Sequence, residues 1–315
     1  MSSSNTLKGV GLIVPTCNPG ESWLEWIESY YRQTHHPEEV IVIDSFSQDK
    51  TVEIAKRNGF KVISIAIKNF NHGGTRDLAV QNLSPSIDYV IFITQDAILA
   101  DPDTLKNIVY PLFEKEELAA AYGRQLPKKN SNALAKHMRL YSYPVHSHEN
   151  SYSDISNRGL KVAYMSNSFA CYRLKYFKRQ KGFSDQLIFG EDMFLAAKML
   201  MAGHKTFYCA EARVFHSHNY RSWELFIRYF DIGVFHSTQK KILEKFGKPH
   251  GEGMKYALSE LKYATKEGLP WALKSILDSM AKFLGYTVGL RYTLVPKNFR
   301  KYLSMNKNYW NAVKN

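Results

Sequence analysis

The sequence predicts an α/β fold, with a mostly parallel, doubly wound sheet and flanking helices over residues 1–235 and a helical region over residues 236–315. The first half alternates short, unbroken apolar segments with segments whose apolar residues recur at helical spacing. Acidic residues stand directly behind the apolar segments, at the strand ends where such sheets bind nucleotide-sized ligands. From Ser222 onward only the helical spacing remains.

The elements follow in order along the chain. Short apolar runs such as GVGLIVP, VIVID and YVIFIT are typical of buried parallel strands, and they predict strands at residues 9–15, 40–44, 61–65 and 89–94. Amphipathic segments between them predict helices at residues 22–33, 50–58, 75–82 and 103–117. Residues 130–159 are polar and look like loop or acceptor-side structure. Further strands are expected at residues 162–172 and 206–215, around a helix at 192–202.

Composition limits the class of protein. The chain of 315 residues has 44% hydrophobic and 23% charged residues, the balance of a folded globular protein. Its three cysteines (Cys17, Cys171 and Cys209) are far apart, which argues against a disulfide framework and against a four-thiolate zinc site. We find no signal peptide and no apolar stretch of the ~20 residues needed to span a bilayer. We therefore expect a cytoplasmic protein.

Positive charge is concentrated in the last quarter of the chain. Residues 240–315 hold 15 Lys and Arg against 5 Asp and Glu, out of a net charge of +13 for the whole chain. A basic region with aromatics suits an anionic membrane surface, but it is also compatible with a merely solvated helical surface. Residues 269–292 carry an apolar stripe that is typical either of packed core or of a membrane-surface helix. No RNA-binding signature is present, so no nucleic-acid partner is expected.

Several side chains near the predicted strand ends carry chemistry. Asp44 follows a strand, and its carboxylate can accept the N3–H of uracil or thymine. Asp96, in TQDA, can supply the oxygen ligand that a divalent cation needs. In FNHGGTRD, the glycines allow close approach of a ligand to a helix N-terminus, and Arg76 can clamp a phosphate. Each also has a structural interpretation, as a cap or a helix start.

Two later segments complete the set. Glu191 and Asp192, in FGED, open a helix, where they serve either as caps or as a general base. His216 and His218, in FHSH, end a strand, where they are either structural or a source of nitrogen for the same metal.

In order, spacing and strand context these segments resemble the family-two nucleotide-sugar glycosyltransferases of the GT-A fold, over roughly residues 9–235. VPTCN resembles the family's opening strand and turn, VIDSFSQDKT its nucleoside-binding segment, TQDA its DxD metal motif, and FGEDMFLAAKMLMAG its catalytic acidic motif. Carried over by position, the resemblance implies three groups of residues: Asp192 as base, with Glu191, in catalysis; Pro15, Thr16, Asp44, His72, Gly73, Gly74, Arg76 and Gln95 in donor binding; Asp96 and His216 as ligands of Mg²⁺ or Mn²⁺.

The sequence departs from the family pattern in places. Thr94 occupies the first acidic position of DxD, Ser45 and Phe46 replace an acidic residue and a glycine, and the QxxRW motif of processive synthases is absent. We therefore expect a non-processive enzyme.

FNHGGTR followed by TQDA resembles the bacterial rhamnosyltransferase branch, which uses dTDP-L-rhamnose. The resemblance then implies inverting transfer to a saccharide or lipid-linked saccharide acceptor in surface polysaccharide synthesis, by an enzyme peripheral to the inner face of the plasma membrane. The alternatives are a GT-A transferase with a UDP-hexose donor and, more distantly, a non-enzymatic RNA- or membrane-binding protein.

Overall fold

The computed structural model describes residues 5–184, 186–247 and 251–312. The described residues form one sheet, whose strands are β1 (Thr6–Thr16), β2 (His36–Asp44), β3 (Lys61–Ser64), β4 (Tyr89–Ile93), β5 (Ile98–Leu99), β6 (Leu118–Leu126), β7 (His148–Asn150), β8 (Phe169–Arg173) and β9 (Lys205–Phe215).

Helices cover both faces of the sheet and form the C-terminal region. They are α1 (Ser22–Tyr31), α2 (Thr51–Arg57), α3 (His72–Gln81), α4 (Thr104–Glu114), α5 (Ala133–Ser142), α6 (Ile155–Arg158), α7 (Leu174–Arg179), α8 (Glu191–Met201), α9 (Ser222–Thr238), α10 (Lys240–Phe246), α11 (Glu252–Glu267), α12 (Leu269–Leu290), α13 (Lys297–Arg300) and α14 (Lys307–Ala312).

The predicted α/β architecture is confirmed. Along the sheet the strand order is β3-β2-β1-β4-β8-β6-β9-β5, with β7 beside β9. Strands β1 to β4 pair in parallel, as do β6 and β9, whereas β8 runs antiparallel between β4 and β6. Alternate side chains of the central strands therefore enter two cores. One core contains Trp23 and Trp26 of α1, and the other contains Ala79 of α3 and Leu195 of α8.

Two predicted segments differ from the structure. The polar residues 130–159 are not mainly loop, because Asn132 caps α5 by accepting a hydrogen bond from the Ala135 N–H at 2.9 Å. The predicted strand at 162–172 is shorter, since Gly159–Ala163 form a 3₁₀ helix and pairing begins only at Phe169. In both cases short-range polar contacts, invisible in the hydrophobic pattern, decide the local structure.

Helices α9 and α12 pack together at the closest distance their backbones allow. A Cβ on Gly285 would lie 2.2 Å from the carbonyl oxygen of Phe226, and a Cβ on Gly289 would lie 2.2 Å from that of Phe230. Glycine is therefore required at both positions. Residue 235, the predicted end of the first domain, lies inside α9, so the helical region continues an element that begins in the sheet-containing part.

Candidate active site at the carboxyl ends of the strands

The ends of β1, β2 and β4 meet at one edge of the sheet. Thr16 and Asp44 are register partners on β1 and β2. Beyond β4, the Gln95 side chain accepts a hydrogen bond from the Cys17 N–H at 2.7 Å and donates to the Cys17 carbonyl at 3.1 Å. Pro15 lies beside Ile43 in the same register. Pro15, Thr16, Asp44 and Gln95 are thus brought together, as the sequence predicted.

The carboxylate of Asp44 faces inward. It accepts hydrogen bonds from the Thr16 hydroxyl at 2.9 Å and from the Ser47 hydroxyl and N–H at 2.6 and 2.8 Å, and only 1% of the residue is exposed. In this arrangement Asp44 holds the turn after β2 against the end of β1. Its role in contacting a pyrimidine N3–H stays a prediction.

The glycines of FNHGGTRD are not a turn before a helix, as predicted, but the first turn of α3. The Asn71 side chain accepts hydrogen bonds from the Gly73 and Gly74 N–H groups at 2.9 and 3.0 Å, so these amides already have an acceptor. A Cβ on Gly73 would lie 2.5 Å from the Ser184 carbonyl oxygen. Chain packing therefore explains the glycine at position 73, and a close approach of a ligand to this segment stays a prediction.

Arg76 is buried and contacts other residues of the chain, and its role in donor binding stays a prediction. The residue is 5% exposed, and its Nη1 donates to the His72 carbonyl at 2.8 Å and lies 3.4 Å from Glu191 Oε1. The His72 ring contacts the C-terminal region, where its Nε2 lies 3.0 Å from Asn306 Oδ1. The guanidinium thus neutralises a buried carboxylate and joins α3 to α8.

Glu191 and Asp192 are held by one asparagine. The Asn167 side-chain amide donates to Glu191 Oε1 at 3.1 Å, and the Asn167 backbone N–H donates to Asp192 Oδ2 at 3.0 Å. The Tyr172 hydroxyl donates to Asn167 Oδ1 at 2.8 Å and fixes the amide. Glu191 is buried, whereas Asp192 is partly exposed and accessible to a second molecule.

The two neighbouring carboxyl groups have different proton affinities. Burial and the adjacent charge of Glu191 raise the pKa of Asp192 to about 7. For Glu191, burial acts in the same direction, but the charge of Arg76, the neighbouring His72 and the hydrogen bond from Asn167 together outweigh burial and lower the pKa of Glu191. Glu191 thus remains a charged structural partner, while Asp192 has the proton affinity of a base that works near neutral pH.

Asp96, His216 and His218 form a cluster at the end of β9. Asp96 Oδ2 lies 3.3 Å from His216 Nε2 and 3.4 Å from His218 Nε2, and the two Nε2 atoms are 3.2 Å apart. Ligand atoms about 2.1 Å from one ion and at right angles to each other lie about 3 Å apart. These separations fit a single metal ion, although His218, which was less favoured than His216 from the sequence, is part of the set.

A neighbouring glutamine orients the cluster. Gln125 donates through Nε2 to the Ser166 hydroxyl at 2.9 Å, so its Oε1 accepts the Nδ1–H of His216 at 2.8 Å and leaves the Nε2 lone pair directed at Asp96. Burial lowers the pKa of His216, and burial together with His216 lowers the pKa of His218 to about 4. Both imidazoles are therefore neutral near pH 7, the form that binds metals.

Sequence reasoning missed two arginines beside these groups. Arg228 of α9 lies between Phe189 and Tyr220, with its Cζ 5.0 and 5.8 Å from the two ring centroids. The Tyr220 ring in turn lies 5.3 Å from that of His218. Arg139 of α5 has a buried Nε without a hydrogen-bond partner. Among the described residues neither guanidinium has a carboxylate partner. No motif marks them, since arginines in amphipathic helices are common.

The chain is similar to proteins of known activity. The model of the family "Glycosyl transferase family 2" matches residues 12–180. The O-antigen chain rhamnosyltransferase RfbN of Salmonella typhimurium is 46% identical, and the O-antigen chain rhamnosyltransferase WbaN of Salmonella anatum is 44% identical. Each comparison covers 96% of this chain and 96% of the relative.

Solved structures share the fold. The mannosyltransferase PcManGT from Pyrobaculum calidifontis superposes with a TM-score of 0.57 over 97% of this chain and 88% of its own, at 19% identity. S. aureus TarS (residues 1–349) gives a TM-score of 0.51 over 91% of this chain and 93% of its own, at 14% identity. The likeness confirms the expected GT-A architecture.

The partly buried carboxyl group of Asp192 predicts a pH-dependent effect on stability. Asp192→Asn should raise the melting temperature by a few degrees at about pH 8 and change it little at about pH 4. The pKa of Asp192 is raised from 3.8 to about 7, so the folded state loses stability as the pH rises from about 3.8 to about 7, and the full loss is present above pH 7. At about pH 4 the carboxyl is protonated in the folded state and only about half ionised in the unfolded state, so the advantage of Asn is small there.

The matched control is Asp154→Asn, measured by the same thermal denaturation. Hydrogen bonds from Ser151 lower the pKa of Asp154, so this substitution should reduce stability at about pH 8. A change for Asp192→Asn that is the same at all pH values would contradict a buried carboxylate with a raised pKa.

The cluster predicts that His218 binds metal. His218→Ala should weaken Mn²⁺ binding by at least about tenfold, because one of three protein ligands is removed. Isothermal titration calorimetry with Mn²⁺ alone measures this. The exposed His146, outside the cluster, provides the control His146→Ala, which should bind Mn²⁺ like the unaltered protein. Equal affinities for the two variants would exclude His218 as a ligand.

Proposed function

The chain is a glycosyltransferase of family 2 with a GT-A fold, and on this basis we propose that it transfers L-rhamnose from dTDP-L-rhamnose to a saccharide acceptor in O-antigen synthesis, with inversion at the anomeric carbon. The strongest support is the identity of 46% and 44%, over 96% of the chain, to two O-antigen chain rhamnosyltransferases. A lipid-linked saccharide is the acceptor that the resemblance implies.

Asp192 acts as the general base in this proposal. It is partly exposed at the start of α8, and its raised pKa gives it enough basicity to accept the proton of an acceptor hydroxyl. Asn167 holds the carboxylate by its backbone N–H, and the ion pair of Glu191 with Arg76 keeps a negative charge beside it. The deprotonated hydroxyl then attacks the anomeric carbon from the face opposite the leaving diphosphate.

Asp96, His216 and His218 would hold the divalent cation. When bound, the ion neutralises charge on the departing diphosphate. Two imidazole nitrogens beside one carboxylate favour a transition-metal ion such as Mn²⁺ over Mg²⁺, which prefers oxygen ligands. The solved structure of PcManGT contains GDP-mannose and Mn²⁺, which agrees with this choice.

Arg228 replaces Arg76 as the arginine we assign to the diphosphate. Arg76 is committed to Glu191, whereas Arg228 lies between Phe189, which precedes the FGED carboxylates, and Tyr220, which stacks near His218. A cation there contacts a residue three positions before Asp192 and a ring that lies beside His218. Its guanidinium can donate to phosphate oxygens as the bond to the sugar breaks.

Donor identity is tested by binding. The melting temperature of the full chain is measured with dTDP, UDP and GDP, each with and without Mn²⁺; a ligand at about 100 times its dissociation constant adds roughly 2.7 kcal/mol. We expect dTDP with Mn²⁺ to give the largest shift, and Asp192→Asn to keep that shift while losing sugar transfer from dTDP-L-rhamnose by several orders of magnitude. A larger shift with UDP would favour the UDP-hexose alternative, and no shift with any nucleotide would contradict a glycosyltransferase.

Arg228→Met should weaken dTDP binding in the presence of Mn²⁺ by about ten- to a hundredfold, because charged hydrogen bonds to the diphosphate are lost. Calorimetric titration of dTDP measures the change. Arg57→Met is a matched control, since Arg57 lies on the surface of α2 in an ion pair with Glu53. If the two variants bind dTDP equally well, Arg228 does not contact the diphosphate.

A further inference from the structure

Helix α12 is amphipathic, but its apolar side faces solvent and its small and polar side faces the protein. We call this side the outer stripe of α12; it has no charged residue, and its members are 46–72% exposed. They are Leu269 (72%), Leu273 (55%), Ile276 (46%), Leu277 (58%), Met280 (56%), Phe283 (69%) and Leu284 (50%). The stripe is about 22 Å long. Contiguous apolar surface of this kind marks an interaction site.

The inner side of α12 carries small and polar residues, and these make the contacts of the helix with α9 and α11. Gly285 and Gly289 allow close contact with α9, and Lys282 Nζ lies 3.0 Å from Glu260 Oε1 of α11. Asp278 accepts a hydrogen bond from the Ser222 hydroxyl at 2.6 Å. The outer stripe therefore contributes nothing to the core of the described chain, and its apolar character needs another explanation.

The exposed charged residues in the part of the chain that contains the outer stripe are mostly basic. The apolar surface continues beyond α12 through Leu294, Phe299 and Tyr302, which are 79%, 61% and 62% exposed. In the described part of the chain from residue 251 to 312, one exposed charged residue is acidic, Glu267, and the others are basic. The basic ones are Lys255, Lys262, Lys266, Arg291, Lys297, Lys301 and Lys307. Glu260 and Asp278 point inward to lysines. Lys248 and Lys314, also part of the basic region, lie outside the described residues.

We propose that the outer stripe of α12, with the exposed residues of 291–302, docks this enzyme on an anionic lipid bilayer. A second copy of the chain would bring two basic rims together, whereas anionic headgroups complement the rim while the acyl chains receive the stripe. No helix in the described residues is long and apolar enough to cross a membrane. The helix thus lies in the interface, parallel to the surface.

The docked helix is packed directly on the helix that carries Arg228. Because α9 and α12 touch at the backbone, a bilayer bound to α12 has a fixed position relative to Arg228. The chain then returns to the catalytic part, where Asn306 contacts His72 and the Asp231 carboxylate accepts the Asn306 N–H at 3.3 Å. Direct contacts within the chain therefore connect the proposed lipid-binding surface to the candidate active site.

Flotation of the full chain with vesicles tests the proposal. Vesicles of phosphatidylcholine alone are compared with vesicles that also contain phosphatidylglycerol, without donor or acceptor, so that the result does not depend on the sugar transferred. We expect binding to the anionic vesicles. Leu277→Glu and Phe283→Glu should each reduce the partition coefficient about tenfold or more. Arg291→Gln and Lys301→Gln should each reduce it about fivefold, only on anionic vesicles.

Leu24→Glu is the matched control, because Leu24 of α1 is also exposed (53%) but lies far along the chain from α12. The Leu24→Glu variant should bind vesicles like the unaltered protein. All variants should have the melting temperature of the unaltered protein. Failure to bind anionic vesicles, or an equal loss for Leu24→Glu, overturns the proposal. So does a dimer in solution that Leu277→Glu converts to a monomer, which would assign the stripe to a second copy.

Discussion

The ion pair between Arg76 and Glu191 is the interaction on which the rest of the active site depends. Both side chains are buried, and a buried charge without a partner destabilises a fold strongly. The pair fixes α3 against α8 and leaves Glu191 charged in a site where burial alone would protonate it. That charge adds to the effect of burial in raising the pKa of Asp192, so a contact made within the chain contributes to the proton affinity of the proposed base.

The carboxyl groups of Asp96 and Asp192 lie in different surroundings, which suit them to different roles. Burial by itself would raise the pKa of Asp96, but the polar groups around it lower that pKa, so this carboxylate remains an anion suited to a cation. Around Asp192, burial and another carboxylate raise the pKa, so this group exchanges a proton near neutral pH. The two environments give Asp96 and Asp192 different proton affinities. One fold can in this way hold the proposed metal ligand and the proposed base in the same site.

The sequence predicted what is local and missed what depends on distant partners. Asp96 and His216 could be proposed together because each follows an apolar strand, and strand ends of such a sheet meet at one edge. The contact of Arg76 with Glu191 could not be predicted, because Glu191 lies 115 residues away. Gly73 was misread because the helix start depends on the Asn71 cap. Arg228 was missed altogether, since its position between Phe189 and Tyr220 exists only in the folded chain.

Helix α12 shows the limit of hydrophobic periodicity most clearly. The spacing of its leucines identifies a helix with one apolar side, but spacing carries no information on which side faces the protein. Gly285 and Gly289 determine which side of α12 faces the protein, because a side chain at either position would collide with the backbone of α9. Because the glycine side must face inward, the leucine side is forced outward. The same constraint that packs α12 against α9 therefore exposes the surface that we assign to the bilayer.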